Sequence, residues 1–208
     1  MSMNKLRVFF LILIFFTACE ESETKYICDT YSCIESAMGG YNSLDECLQE
    51  CVNPSEANTK VTVFIYENCP IAQYMCGPLR EAYRYFCDTL GQDIIFRGFS
   101  PNSFSTESTL QNFKIKYDIP FDLQLDFDSE TDQPGAQTQF YNPIVTPELF
   151  VEFNGNLVYR GMIDNSYQSL GQWSLPTENY IVTILTQIVN EEVILYFETE
   201  AVGCLINY

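Results

Sequence analysis

The sequence contains no histidine. That absence excludes Ser-His-Asp and Cys-His catalysis, and every metal site that needs an imidazole. Basic residues are scarce, 10 against 28 acidic ones, for a formal charge of −18. A surface of that sign repels nucleic acid and anionic headgroups, so nucleic acid is not expected as a partner. No acidic run is long enough to make a low-complexity tail, and solubility accounts for the excess. Long hydrophobic runs are also missing. The longest, "VFFLILIFFTA" (8–18), is too short to span a bilayer. No C-x-x-C pair occurs, because the position three residues after Cys69 is Ala72. Cysteine itself is abundant, with 9 in 208 residues. Usage that heavy points to an oxidising compartment. Any chemistry must then come from cysteine, carboxylates, tyrosine, lysine or backbone amides.

The N-terminus agrees with export. A short basic region, "MSMNKLR", precedes the apolar run, which has the length of a signal-peptide core and ends at "TAC". This resembles a bacterial lipoprotein signal over residues 1–18, with Cys19 as the acylated first residue of the mature chain. A plain cleaved signal is the alternative. Removal of Lys5 and Arg7 leaves 8 basic against 28 acidic residues, or −20. Several acyl chains on Cys19 would anchor the protein stably, where one chain binds marginally. The expected location is the cell envelope, lipid-anchored to the outer membrane on its periplasmic or surface face. The acidic "EESE" resembles the export tag of some surface lipoproteins. Residues 19–25 read as a polar tether.

Residues 26–52 hold Cys28, Cys33, Cys47 and Cys51. "SLDEC" has the form of a capped helical turn, with Ser43 as N-cap and Glu46 three residues later. So short a segment needs staples in place of a core. Zinc is one reading, but the spacings lack the paired C-x2-C of zinc ribbons; in an exported chain two structural disulfides are favoured. Three connectivities exist, and Cys28–Cys51 with Cys33–Cys47 is the one expected. The pattern is similar to small Cys-stapled modules near the N-termini of exported bacterial proteins.

Residues 53–60 read as a linker. "VTVFIY" (61–66) predicts a buried strand. Residues 70–90 read as helix interrupted at Gly77-Pro78, and 93–100 as a strand. A capping signal opens a helix over 105–119, and 121–128 alternates like a strand. Residues 131–143 read as loop or irregular helix. Residues 146–155 and 156–164 predict a hairpin about Asn154-Gly155. A helix over 176–192 has Pro176 near its start. Strands alternating with helices, then a closing hairpin and helix, give an α/β fold with a central mixed sheet flanked by helices.

Four stretches of residues 61–208 resemble the redoxin and thioredoxin-like proteins of the alkyl hydroperoxide reductase/thiol-specific antioxidant superfamily, in an exported bacterial branch. They are "NCPIAQY" (68–74), "IPFDLQLDFD" (119–128), "VTPELFVEFNGNLVYRGMIDNSY" (145–167) and "ETEAVGCLI" (198–206). The resemblance implies a thioredoxin-like fold after the Cys-rich module. It also implies a nucleophilic Cys69 at a helix start and a Thr146-Pro147 loop with a cis peptide bond that presents backbone to a substrate. No cofactor and no metal are expected. The partners implied are protein or small-molecule thiols and disulfides.

Cys69 follows a strand and precedes a helix, where the helix N-terminus favours a thiolate. Pro70 suits the first helical turn. With Ala72 at the usual resolving position, another thiol must serve. Cys76 and Cys87, about 16 Å apart on one helix, cannot pair. Cys69–Cys76 would require an unwound turn. The favoured resolving residue is Cys204, on a tail able to reach back. A Cys87–Cys204 staple is a further alternative, and an inert Cys87 in the core another. Arg80, Arg84 and Arg97 are the nearest basic candidates to face a thiolate. The peroxidase signature P-x-x-x-T-x-x-C is absent before Cys69, where the residues are "TVFIYENC". Three functions therefore compete: a thiol-disulfide oxidoreductase, a binding module without turnover and, last, a thiol peroxidase. Cys69 and Cys204 holding Cu(I) lacks any supporting Met or His cluster.

Overall fold

The computed structural model describes residues 24–29, 32–36, 40–44 and 58–208. The expected signal peptide, the acylated Cys19, Cys47, Cys51, the side chains of Cys28 and Cys33, and residues 53–57 of the linker lie outside them. The chain divides into two units, Met1–Pro54 and Ser55–Tyr208. In the first, β1 (Tyr26–Asp29) and β2 (Ser32–Glu35) form an antiparallel pair with Cys28 opposite Cys33. Tyr26 and Tyr41 exchange backbone hydrogen bonds beside it, at 2.9 and 3.1 Å.

The second unit is organised by β3 (Thr59–Phe64). This strand takes in Thr59 and Lys60, which composition assigns to the linker, because Phe153 and Glu152 pair with them. Its apolar residues serve two faces by the two-residue period of a strand. Val61 and Val63 enter the main core, while Phe64 enters a second cluster with Phe99, Tyr141 and Phe150. β4 (Ile94–Ser100) and β5 (Asp122–Leu125) extend the sheet in parallel on one side. The short β6 (Phe127–Asp128) and β7 (Gln133–Pro134) pair beyond it. β8 (Val145–Thr146) leads into β9 (Glu148–Phe153), antiparallel to β3, and β10 (Asn156–Gly161) returns beside β9. The hairpin turn needs positive φ at both corners, and Asn154 and Gly155 supply it at 51° and 75°.

β11 (Tyr167–Ser169) and β12 (Gln172–Trp173) form a small hairpin. β13 (Phe197–Glu198) adds in parallel to β10, and β14 (Cys204–Leu205) pairs antiparallel with β8. The six-stranded sheet runs β13-β10-β9-β3-β4-β5. It is a mixed sheet with helices against it, as the sequence pattern predicts.

Helix α1 (Pro70–Tyr83) is not interrupted at Gly77-Pro78. Its buried face, Ile71, Ala72, Met75, Cys76, Leu79 and Ala82, keeps helical spacing through the proline. That burial outweighs the one backbone hydrogen bond that Pro78 cannot make. A π-helical turn, Arg84–Thr89, continues it. α2 (Glu107–Tyr117) starts one residue later than Ser105 suggests. Thr106 is the cap: its Oγ1 accepts from Thr109 N, and Thr109 Oγ1 accepts from Thr106 N. The loop-or-helix segment resolves into α3 (Ala136–Tyr141). The buried Asp126 accepts from Thr138 Oγ1 at 2.6 Å and from Thr138 N, satisfying the first turn.

α4 (Tyr180–Val189) is shorter than predicted. Asn179 caps it by accepting from Val182 N at 3.2 Å, so Pro176 lies outside. Asn165 Oδ1 holds the preceding turn, accepting from Thr177 N and Glu178 N. No helix among the described residues is long and apolar enough to cross a membrane.

Candidate active site

Cys69 is the N-cap of α1, with extended backbone, and its side chain is fully buried. A tight corner delivers it there. Cys69 N donates to Tyr66 O at 2.9 Å, so Glu67 and Asn68 form the tip between β3 and the helix. Pro70 is the first helical residue and brings no N–H to satisfy. Gln73 N then donates to Cys69 O at 2.9 Å, which closes the first turn. The amides of Ile71 and Ala72 have no acceptor within the helix. The dipole adds to them, and negative charge on the sulfur is favoured at this position.

Cys69 is bonded to Cys204 across 135 residues, with Cα atoms 5.9 Å apart. That separation lies within the range a disulfide requires. Cys76 and Cys87 are free. The alternatives Cys69–Cys76 and Cys87–Cys204 are therefore not the arrangement in the fold. α1 stays wound, and Cys76 Sγ donates to Ala72 O one turn back at 3.1 Å.

The other wall is the loop at β8. The Thr146–Pro147 peptide bond is cis, and Thr146 is fully buried. Thr146 O lies 3.1 Å from Cys69 Sγ. The sulfur carries no proton in the disulfide, so this is a contact; the reduced thiol has its acceptor there. β14 brings Cys204 to this loop in register, Cys204 opposite Thr146 and Leu205 opposite Val145. Beyond it, Asn207 N donates to Asn102 Oδ1 at 2.8 Å, and Ser103 N donates to Asn207 O at 3.0 Å. Upstream, Thr199 N donates to Arg160 O at 3.1 Å, and Thr199 Oγ1 accepts from Met162 N at 2.9 Å.

The three arginines do not face the sulfur. Arg80 Nη1 donates to Tyr117 O at 2.7 Å, and Arg84 pairs with Asp118 at 2.7 Å on the surface. Arg97 donates to Thr62 Oγ1 at 2.9 Å and to Tyr141 OH at 2.8 Å, on the opposite face of the sheet from Val61 and Val63. Each is held by other parts of the fold.

Sequence reasoning misses the group behind the corner. Glu67 is 7% exposed. Its Oε1 accepts from Thr109 Oγ1 at 2.6 Å and its Oε2 from Ser105 Oγ at 2.7 Å. Ser105 Oγ in turn lies 2.6 Å from Ser100 Oγ. Gln73 Nε2 donates to Glu67 O at 2.9 Å. The carboxylate thus ties the Cys69 corner to the start of α2. Its partners lie about forty residues away and share no local spacing, so only the placement of an acid in "YENC" hints at it.

Burial pushes the Cys76 thiol from 9.0 up to about 12, only partly offset by Arg80. Cys87 goes up to about 11, from burial first and the Asp88 charge second. Both stay protonated at neutral pH. Above pH 9 the unfolded chain releases these protons while the folded chain keeps them. Stability from these thiols is complete below pH 9 and falls as pH rises toward 12. Urea midpoints measured from pH 8 to 10.5 should decline, and the decline should be shallower in Cys76→Ala. In the reduced protein at pH 7.5, iodoacetamide should label Cys76 and Cys87 far more slowly than Cys69.

Among the described residues, no group of three His, Cys, Asp or Glu side chains could hold a metal ion.

No family model matches the sequence, and no curated protein matches it. Solved structures do match. A hypothetical protein from Sinorhizobium meliloti is 16% identical with a TM-score of 0.58, over 74% of this chain and 81% of that one. An uncharacterized conserved protein from Geobacillus kaustophilus is 15% identical with a TM-score of 0.61, over 89% of this chain and 87% of that one. A thiol-disulfide oxidoreductase from Bacteroides fragilis is 12% identical with a TM-score of 0.46, over 66% and 85%. Likeness at these identities is likeness of fold. The sheet order, the cysteine at the N-terminus of α1 and the cis-proline loop beside it give residues 58–208 a thioredoxin-like fold with a Cys69–Cys204 disulfide.

Proposed function

We propose that this protein is a thiol-disulfide oxidoreductase of the cell envelope, held at the membrane through an acylated Cys19. The observation that carries the reading is the Cys69–Cys204 disulfide, formed between a helix N-terminus and a tail strand laid on the cis-proline loop. A purely structural staple has no need of the helix end that favours a thiolate.

The cycle balances without a cofactor. An external dithiol reduces the bond by two electrons. It becomes a disulfide and leaves thiols on Cys69 and Cys204. The Cys69 thiolate then attacks one sulfur of a substrate disulfide. A mixed disulfide forms, and the other substrate sulfur leaves as a thiolate and takes a proton. Cys204, deprotonated, attacks Cys69 Sγ; the second substrate thiol departs and the Cys69–Cys204 bond returns. Ala72 explains the long-range partner. The first turn of α1 has no resolving thiol, so the tail provides one.

Glu67 acts as a positioning residue. It fixes the Tyr66–Cys69 corner and so the direction of Sγ. Glu67→Gln keeps the shape but removes the charge that two hydroxyls solvate. Its expected effect is a slower exchange rate, by about tenfold, and a shifted pH profile, at unchanged disulfide connectivity.

The test is turnover of oxidised glutathione or a small aromatic disulfide, with dithiothreitol as electron donor. The wild type should turn over repeatedly. A Cys69–Cys204 bond that never opens in the folded protein would return the molecule to a binding module without turnover.

A further inference from the structure

The tail meets the cis-proline loop most tightly at Gly203, which is buried. A Cβ placed there would strike the carbonyl carbon and oxygen of Thr146 and lie 3.1 Å from Pro147 N. These are backbone atoms of a fully buried residue, anchored where β8 enters β9. They cannot swing aside as the end of a flexible side chain would. Gly203 is not among the residues with positive φ. Its φ does not call for glycine, and the close approach of the Thr146 carbonyl does. Two residues further along, past the cysteine, the restriction vanishes: Leu205 is 74% exposed.

The disulfide is the one covalent link that holds the tail to this loop. Without it, the tail keeps the Thr199 anchor, the packing of Val202, a two-residue ladder and the hydrogen bonds of Asn207, while Leu205 and Tyr208 give most of their surface to water. A segment held by so short a ladder at the end of the chain opens more readily than the strands of the six-stranded sheet.

We infer that the Val145–Thr146 edge is a sequence filter: it takes an extended protein segment in which glycine directly precedes the reactive cysteine, and the tail 203–205 is the chain's own tethered version of that substrate. The inference rests on Cys69 being the nucleophile of the preceding section. It adds the substrate class, Gly-Cys segments in extended conformation, and the group that selects them, the Thr146 carbonyl. The residue after the cysteine is unrestricted.

The reaction that reads the filter is a single exchange. The reduced Cys204→Ser protein is mixed with the hexapeptide AVGCLI, its cysteine carried as a disulfide with thionitrobenzoate. Cys69 thiolate attacks the peptide sulfur. The Cys69–peptide bond forms, and the coloured thionitrobenzoate anion leaves with the electron pair. The same measurement is made with AVACLI and with the small symmetrical aromatic disulfide alone. The serine-bearing tail competes equally with both peptides, so the ratio of their rates is unaffected.

The expected result is that AVGCLI reacts faster than AVACLI by about tenfold or more, since the added methyl must displace a fixed backbone. Equal peptide rates, with the small disulfide reacting normally, would overturn the filter and leave the oxidoreductase standing. No reaction with the small disulfide would overturn both. A second measurement uses the full chain. Gly203→Ala should open its Cys69–Cys204 bond at a ratio of dithiothreitol to its oxidised form about tenfold lower than wild type. Opening at the wild-type ratio would also overturn the filter.

Discussion

Cys69→Ser lowers disulfide exchange to the uncatalysed background, a loss on the order of a thousandfold or more, as expected when a nucleophile is removed from its activating site. A serine hydroxyl at the α1 N-terminus meets the same unpaired amides, yet it ionises far less readily than a thiol and makes a poorer nucleophile toward sulfur. Cys204→Ser behaves differently. The nucleophile survives, so the first half of the cycle proceeds and releases one equivalent of substrate thiol. With pre-reduced protein and no external thiol present, the mixed disulfide on Cys69 then accumulates, because no thiol in the first turn of α1 can resolve it. Kinetics should show a stoichiometric burst and then a stall, and mass spectrometry should find one adduct, on Cys69. Cys76 offers no rescue: it is buried and directed to Ala72 O within its own helix. Loss of activity in both variants without a burst in Cys204→Ser would place the nucleophile elsewhere.

The largest stability effect falls on the loop that carries Pro147. Glu148 is 2% exposed and opens β9. Its Oε1 accepts from Arg160 Nη2 at 2.5 Å and Nε at 3.1 Å, and its Oε2 accepts from Ile144 N at 2.6 Å. Arg160 also lies 5.0 Å from the centroid of the Phe150 ring, on the neighbouring strand. Glu148→Ala removes one side of a mostly buried ion pair and one acceptor of the loop backbone together. The guanidinium is then left without its counter-charge, and Ile144 N–H without a partner. Breaking a buried pair from one side costs about 3–5 kcal/mol. Urea unfolding should show a lower midpoint with an unchanged slope. Glu148→Gln keeps an acceptor for Ile144 N and should lose less. Ile144 lies two residues before Thr146, so the alanine variant should also loosen the docking of Cys204 and let the disulfide open more easily. An effect below 1 kcal/mol would show that Arg160 finds water instead.

Much of the fold is legible in the sequence because its signals are local. The β-branched run at 61–64 and the Asn154-Gly155 turn each report their own structure. So do the capping residues near 106, though off by one. The helix at 70–83 is misread at Gly77-Pro78, because proline is weighed locally while the buried face of α1 is a tertiary quantity. Pro176 misleads for the same reason: Asn165, distant in sequence, organises the turn, and Asn179 is the better cap. α3 is invisible until Asp126 is brought against it. In the site, the strand–cysteine–helix arrangement exposes Cys69, and the absence of a C-x-x-C pair directs attention to Cys204. What cannot be read is close approach. Neither the carbonyl that excludes a side chain at 203 nor the hydroxyls that hold Glu67 leave a spacing pattern in the chain.

The most direct measurement is a redox titration of the folded mature protein. It is equilibrated with graded ratios of reduced to oxidised dithiothreitol and quenched in acid. Free thiols are then alkylated and mapped by mass spectrometry. The Cys69–Cys204 bond should open in a single two-electron transition, with Cys69 and Cys204 appearing together as free thiols while circular dichroism stays that of the folded protein. A bond that remains closed at every ratio until the domain unfolds would make it a structural staple and contradict the redox cycle.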